Sequence, residues 1–216
     1  CPSDALQGKV LAQNVVGTDA TITSASVVYT NDAYGQGLSE VFLKEYGAAK
    51  TSLVPFDAGK LAAADTAAAT ANAAAAQVVT NASDAIVIVA VSAKDTIALL
   101  GAMSAAGLGA KTFFFTDGSK DAKLLLDPTL PADVKAIIGA AVGTAPASAR
   151  DDVTFKQFSA SLGAAFPGAD PGQYSFLAHA YDAAYLGAFG VVYASSKAET
   201  YDGRDVAEGL AHLEAG

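Results

Sequence analysis

Residues 84–91 read DAIVIVAV, and every position from Ala85 to Val91 is apolar. A strand without polar alternation is one covered on both faces, which is how strands of parallel sheets read. The segments around it repeat the theme. SASVVYT (24–30), TSLVPFD (51–57), KTFFFTDG (111–118) and VKAIIGAAVGTAP (134–146) are expected strands, with Pro55 placing the second at a sheet edge. Between them the spacing predicts helices over 37–47, where Val41, Phe42 and Glu45 recur at helical intervals and Gly47 suits a cap, and over 62–82, 93–109 and 119–127. Strand–helix alternation with short connections requires right-handed crossovers. The expected fold is therefore α/β, three-layer αβα with a mostly parallel sheet.

Beyond Pro146 the character changes. Segments 150–166, 172–196 and 202–216 all read as helices with no strand between them, and PGADPG (167–172) reads as a turn cluster. These helices have no sheet of their own to cover. They are expected to pack on the first sheet or a partner chain, or to leave an apolar face exposed.

The composition excludes several classes. At 52% hydrophobic and 16% charged residues the chain buries a core, and its longest apolar run is strand-length, too short for a membrane span. A net charge of −9 and the lack of a basic cluster argue against nucleic acid as a partner. The single cysteine, Cys1, leaves no internal disulfide and no cysteine-based metal site. It is either the lipid-bearing residue of a processed lipoprotein or an ordinary internal residue.

Catalytic signals are absent as well. His179 and His212 lie in helical segments without metal-ligand spacing, and no G-x-S-x-G elbow occurs. No catalytic residue, metal or cofactor is expected. Phosphate binding is poorly served too, because YGQG (34–37) supplies G-x-G alone, without a third glycine or a Walker lysine.

Doubly wound folds bind ligands outside the carboxyl ends of their strands, which here means 30–37, 57–60, 91–95 and 116–121. Tyr34 brings an aromatic face and a hydroxyl, and Asp117 a carboxylate beside Gly118. Together they suit a small cationic or amino-bearing ligand. The competing reading is that Asp32 and Asp117 cap the helices that follow. It is preferred for Asp32 and evenly balanced for Asp117.

CPSDALQGKVLA followed by VVYTNDAYGQGLSEVFLKEYGA resembles the second lobe of type I periplasmic binding proteins, in their branched-chain amino acid branch. DAIVIVAVSAKDTIALLGAMSAAGL, FFFTDG and YSFLAHAYDAAYLGAF follow in the order of that family, so the resemblance spans nearly the whole chain. It implies a two-lobed venus-flytrap receptor, periplasmic or extracellular, that closes on an amino acid-like solute and delivers it to an ABC permease. It implies no chemistry on the ligand. The alternative within the same fold is a ligand-sensing domain of a regulatory protein.

The resemblance further implies roles for named residues. Tyr34 packs on the ligand, and Asp117, before Gly118, receives its α-ammonium. Ser92 and Ala93 line the cleft where relatives carry a tyrosine, which implies a roomier or differently shaped pocket. Tyr181 matches an aromatic near the cleft. The domain expectation is that residues 1–145 form the second lobe and 146–216 return into a first lobe. The segment opening that first lobe, and any membrane anchor on it, would precede this chain, which makes Cys1 internal.

Overall fold

The computed structural model describes residues 4–146, 152–173 and 175–212. Its elements run α1 (Asp4–Thr18), β1 (Ala25–Thr30), α2 (Ala33–Tyr46), β2 (Thr51–Phe56), α3 (Ala58–Ala62), α4 (Ala67–Asn81), β3 (Ala85–Val89) and α5 (Ala93–Ala105). There follow β4 (Thr112–Phe115), α6 (Ala122–Leu125), α7 (Ala132–Ala140), β5 (Val142–Gly143), α8 (Val153–Ala165), α9 (Leu177–Lys197) and α10 (Gly203–Ala211). These fall into two compact units, an α/β unit from α1 to β5 and a helical unit holding α8, α9 and α10.

The α/β unit is built on one five-stranded parallel sheet in the order β2-β1-β3-β4-β5. Its register puts whole rows of apolar side chains on each face. Val54, Val28, Ile88 and Phe115 are laterally paired across four strands, and that row belongs to the core formed with α3, α4, α5 and α7. One residue back, Leu53, Val27, Val87 and Phe114 form the row that α1 and α2 cover. Because successive side chains alternate faces, the central strand must be apolar throughout, and all five residues of β3 are buried. The fold class read from the sequence is the one observed, and Pro55 lies in edge strand β2.

Several boundaries differ from expectation. The strand expected over 134–146 is a helix, α7, followed by the two-residue strand β5. Val134 and Ile137 are three residues apart and both buried, so the 3.6-residue period prevails over their β-branched propensity. The helix expected at 37–47 begins four residues earlier, and its buried stripe is Leu38, Phe42 and Tyr46. The long alanine-rich segment is divided, with α3 ending at Ala62 and α4 starting at Ala67.

In the helical unit, α9 and α10 cross where Gly190 and Gly209 meet; a Cβ on Gly209 would lie 3.0 Å from the Gly190 Cα. Phe158 of α8 packs on Tyr181 of α9 with ring centroids 5.0 Å apart. On α9, Tyr185, Leu186, Phe189 and Val192 remain exposed. No helix among the described residues is long and apolar enough to cross a membrane.

Candidate ligand-binding site

In this strand order the chain reverses direction across the sheet between β1 and β3, so the loops after those two strands flank the topological switch point. The loop after β1 carries Asp32 and Tyr34. Asp32 caps α2, its carboxylate accepting from the Gly35 N–H at 2.8 Å, as expected from the sequence. Gly35 has no alternative here, because a Cβ on it would lie 1.9 Å from the Thr30 carbonyl oxygen. The cap and this close approach fix the first turn of α2 against the end of β1. Tyr34 is thereby held over the edge of the sheet, half-buried.

Asp117 opens the turn after β4. It is 8% exposed, and the Tyr34 hydroxyl donates to its Oδ1 at 3.1 Å. The Gln7 carboxamide, from the first turns of α1, donates to the same oxygen at 2.6 Å. That nitrogen also lies 3.1 Å from the Thr144 carbonyl oxygen and 3.3 Å from the Thr144 hydroxyl, just beyond β5. Among the described residues no cation pairs with Asp117; its two donors are both neutral. A nearly buried carboxylate compensated only by neutral donors is costly, and a cation arriving there gains from the low local dielectric.

The surroundings act on Tyr34. Burial is the main reason its phenol is pushed up from the usual value, and the Asp117 charge beside it adds to the effect. The Thr116 side chain works in the opposite direction, yet its Oγ1 makes no hydrogen bond of good geometry among the described residues although Thr116 is only 2% exposed. Next to this group is a cleft of about 270 Å³ lined by Phe115, Thr116, Ser119, Lys120, Leu125 and Thr144, among others, so one cationic side chain borders it. Thr144 thus borders both the polar cluster and an apolar cleft.

The other residues singled out from the sequence have clear local tasks. Gly118 passes under the end of β3, where a Cβ would lie 2.0 Å from the Ala90 carbonyl oxygen. Ser92 caps α5, accepting from the Asp95 N–H at 3.2 Å and donating to the Asp95 carboxylate at 2.8 Å. Ala93 is buried beneath it. Tyr181 belongs to the helical unit, its hydroxyl donating to that of Tyr185 at 3.2 Å. Gln7 was not anticipated as a site residue. It lies 110 positions from Asp117 in sequence, and nothing local to α1 signals the pairing.

No family model and no curated protein matches the chain. Solved structures do. A leucine-binding protein from Thermotoga maritima matches with a TM-score of 0.67 at 18% identity, covering 97% of this chain and 55% of its own. An extracellular ligand-binding receptor from Verminephrobacter eiseniae matches with a TM-score of 0.64 at 14% identity, covering 97% and 55%. A fatty acid ABC transporter substrate-binding protein from Thermomonospora curvata gives 0.66 at 14% identity, covering 96% and 51%. The fold is therefore that of the type I periplasmic binding proteins, and the chain spans about half the length of the solved structures it matches.

Proposed function

We propose that this chain belongs to an extracytoplasmic solute receptor that captures an amino acid or similar small zwitterion for an ABC importer. The observation that carries the reading is Asp117, a nearly buried carboxylate at the C-terminal edge of a parallel sheet, held by neutral donors and lacking a cation among the described residues. Asp117 receives the ligand's ammonium. Tyr34, its hydroxyl engaged with that carboxylate, supplies the flanking aromatic surface. Gly118, Ser92 and Ala93 shape the floor of the site through the close approach, the cap and the small side chain they provide.

The chemistry also chooses between the ligands named for the similar structures. A fatty acid brings no ammonium for Asp117 to receive, and its carboxylate would be repelled there, whereas in an amino acid the ammonium can meet Asp117 while the carboxylate lies toward Lys120 at the adjoining cleft. An ammonium beside an aliphatic group suits both Asp117 and the adjoining apolar cleft. In this reading the protein binds and releases its ligand unchanged. Residues 146–216, with Tyr181, belong in this proposal to the receptor's other lobe. The exposed stripe of α9 is the surface that the remainder of that lobe would cover.

Calorimetric titration of the protein with a panel of amino acids, and with the same molecules lacking the amino group, tests this. The expected result is binding of an amino acid, a weakening of about 100-fold in Asp117→Asn, and no comparable binding of the deaminated counterpart. Equal affinity for leucine and 4-methylpentanoate would remove the ammonium anchor.

A further inference from the structure

Resting on the reading of Asp117 as an ammonium anchor, we propose that the Gln7 carboxamide occupies the position of the ligand's ammonium, and that ligand binding exchanges one nitrogen for another. Three acceptors converge on Gln7 Nε2: Asp117 Oδ1 at 2.6 Å, the Thr144 carbonyl oxygen at 3.1 Å and the Thr144 hydroxyl at 3.3 Å. A carboxylate and a carbonyl can only accept, so the nitrogen end of the amide must be the one seated there. An amide nitrogen has two hydrogens for these three acceptors. A primary ammonium has three hydrogens and a full positive charge, so it matches the arrangement better on both counts.

Access points the same way. Asp117 is 8% exposed, with Gln7 and Tyr34 both bonded to Oδ1. Tyr34 is anchored by the cap and close packing that start α2. Gln7 is half-buried on the surface of α1, and its side chain has three rotatable bonds that turn without disturbing the helix. Of the two donors, Gln7 is the one that can leave. The carboxamide keeps a nearly buried carboxylate satisfied while the site is empty and competes with any ligand for it. Affinity is lowered accordingly, and release is eased.

The test uses the whole chain, labelled with ¹⁵N, with the Gln7 side-chain signal assigned by its loss in Gln7→Met. Methylammonium chloride is the minimal probe, L-leucine the larger one, and potassium chloride the salt control. In the empty protein the Gln7 carboxamide signal should lie away from the position of a solvated glutamine. Either ammonium probe should return it to that position, and the salt control should not. Gln7→Met, which keeps helix propensity and bulk but removes the amide, should bind methylammonium about tenfold more tightly.

If the probes bind and are weakened by Asp117→Asn, but the Gln7 signal stays in place or Gln7→Met binds no more tightly, Gln7 is a fixed positioning residue. The exchange is then wrong and the anchor stands. If methylammonium binds Asp117→Asn as well as wild type, or neither probe binds wild type or Gln7→Met, the anchor fails and the exchange with it.

Discussion

Two aspartates sit at opposite ends of the same sheet and are satisfied in opposite ways. Asp84, before β3, takes four hydrogen bonds from two adjacent residues: Thr23 N–H and Oγ1 at 2.9 and 2.8 Å, Ser24 N–H and Oγ at 3.1 and 3.0 Å. Asp117, after β4, is held by side chains from two separate helices, α1 and α2. Two of the four donors to Asp84 are backbone N–H groups, which cannot be withdrawn without undoing the fold, whereas both donors to Asp117 are side chains, of which Gln7 can rotate away. Asp84 is thus a fastening between the start of β1 and the start of β3. Asp117 is poised to exchange partners.

The comparison can be broken most severely at the C-terminal edge of the sheet, beside Asp117. Gly35→Ala and Gly118→Ala would place a methyl group 1.9 and 2.0 Å from backbone carbonyl oxygens. Each should destabilise the protein by about 3 kcal/mol in denaturant unfolding, from overpacking against rigid strand ends. Unfolding midpoints unchanged from wild type would mean that this edge is looser than described, and that Tyr34 is not held as argued.

A second trial pits the two aspartates against each other. Asp84→Asn should lower the melting temperature of the empty protein. Asp117→Asn should leave it unchanged or raise it, since it removes a buried charge that has no cation paired with it among the described residues. The Thr23 backbone N–H, then the Thr23 and Ser24 side chains, hold the Asp84 carboxyl down to about 2 from 3.8. A depressed carboxylate stabilises fully above its unfolded value and loses that contribution as pH falls through the folded one. The gap in melting temperature between wild type and Asp84→Asn should therefore be complete above pH 3.8 and close as pH falls through about 2.

Tyr34 supplies the basic-side counterpart. Its raised phenol favours the protonated form in the folded state, so its contribution is full below the ordinary value of 10.0 and declines as pH rises beyond it. In an ultraviolet titration of phenolate absorbance Tyr34 should ionise last, after Tyr46 and Tyr181, whose phenols are also raised, and Tyr34→Phe should delete that last step while costing roughly 1 kcal/mol.

The smallest effect separates the two glycines of YGQG. No atom lies within 4 Å of a Cβ built on Gly37. Gly37→Ala should raise stability by about 0.5–1 kcal/mol, the helix-propensity difference, where Gly35→Ala lowers it.

Local pattern made much of this legible in the sequence. The unbroken apolar run 85–91 announces a doubly covered strand, and Asp32 before a helix announces a cap. The segment 134–146 reads as a strand yet forms α7 and a two-residue strand, because Val134 and Ile137 satisfy a strand's composition and a helix's period alike, and packing beneath α7 selected the period. Tyr34 and Asp117 were legible as candidates because both follow predicted strands, where a parallel sheet presents its ligand edge. Their contact was not legible, and neither was Gln7.

Alternation of apolar strands and helices, through the fixed hand of crossovers and the two-residue period of the pleat, was enough by itself to determine a parallel αβα fold. Tertiary structure alone decided which polar groups meet. Asp117 meets Gln7 across 110 positions, Tyr34 across 83, and Thr144 joins them through the Gln7 amide. Hydrogen bonds between side chains act over about 3 Å, and no periodicity in a chain encodes which distant loops will come that close.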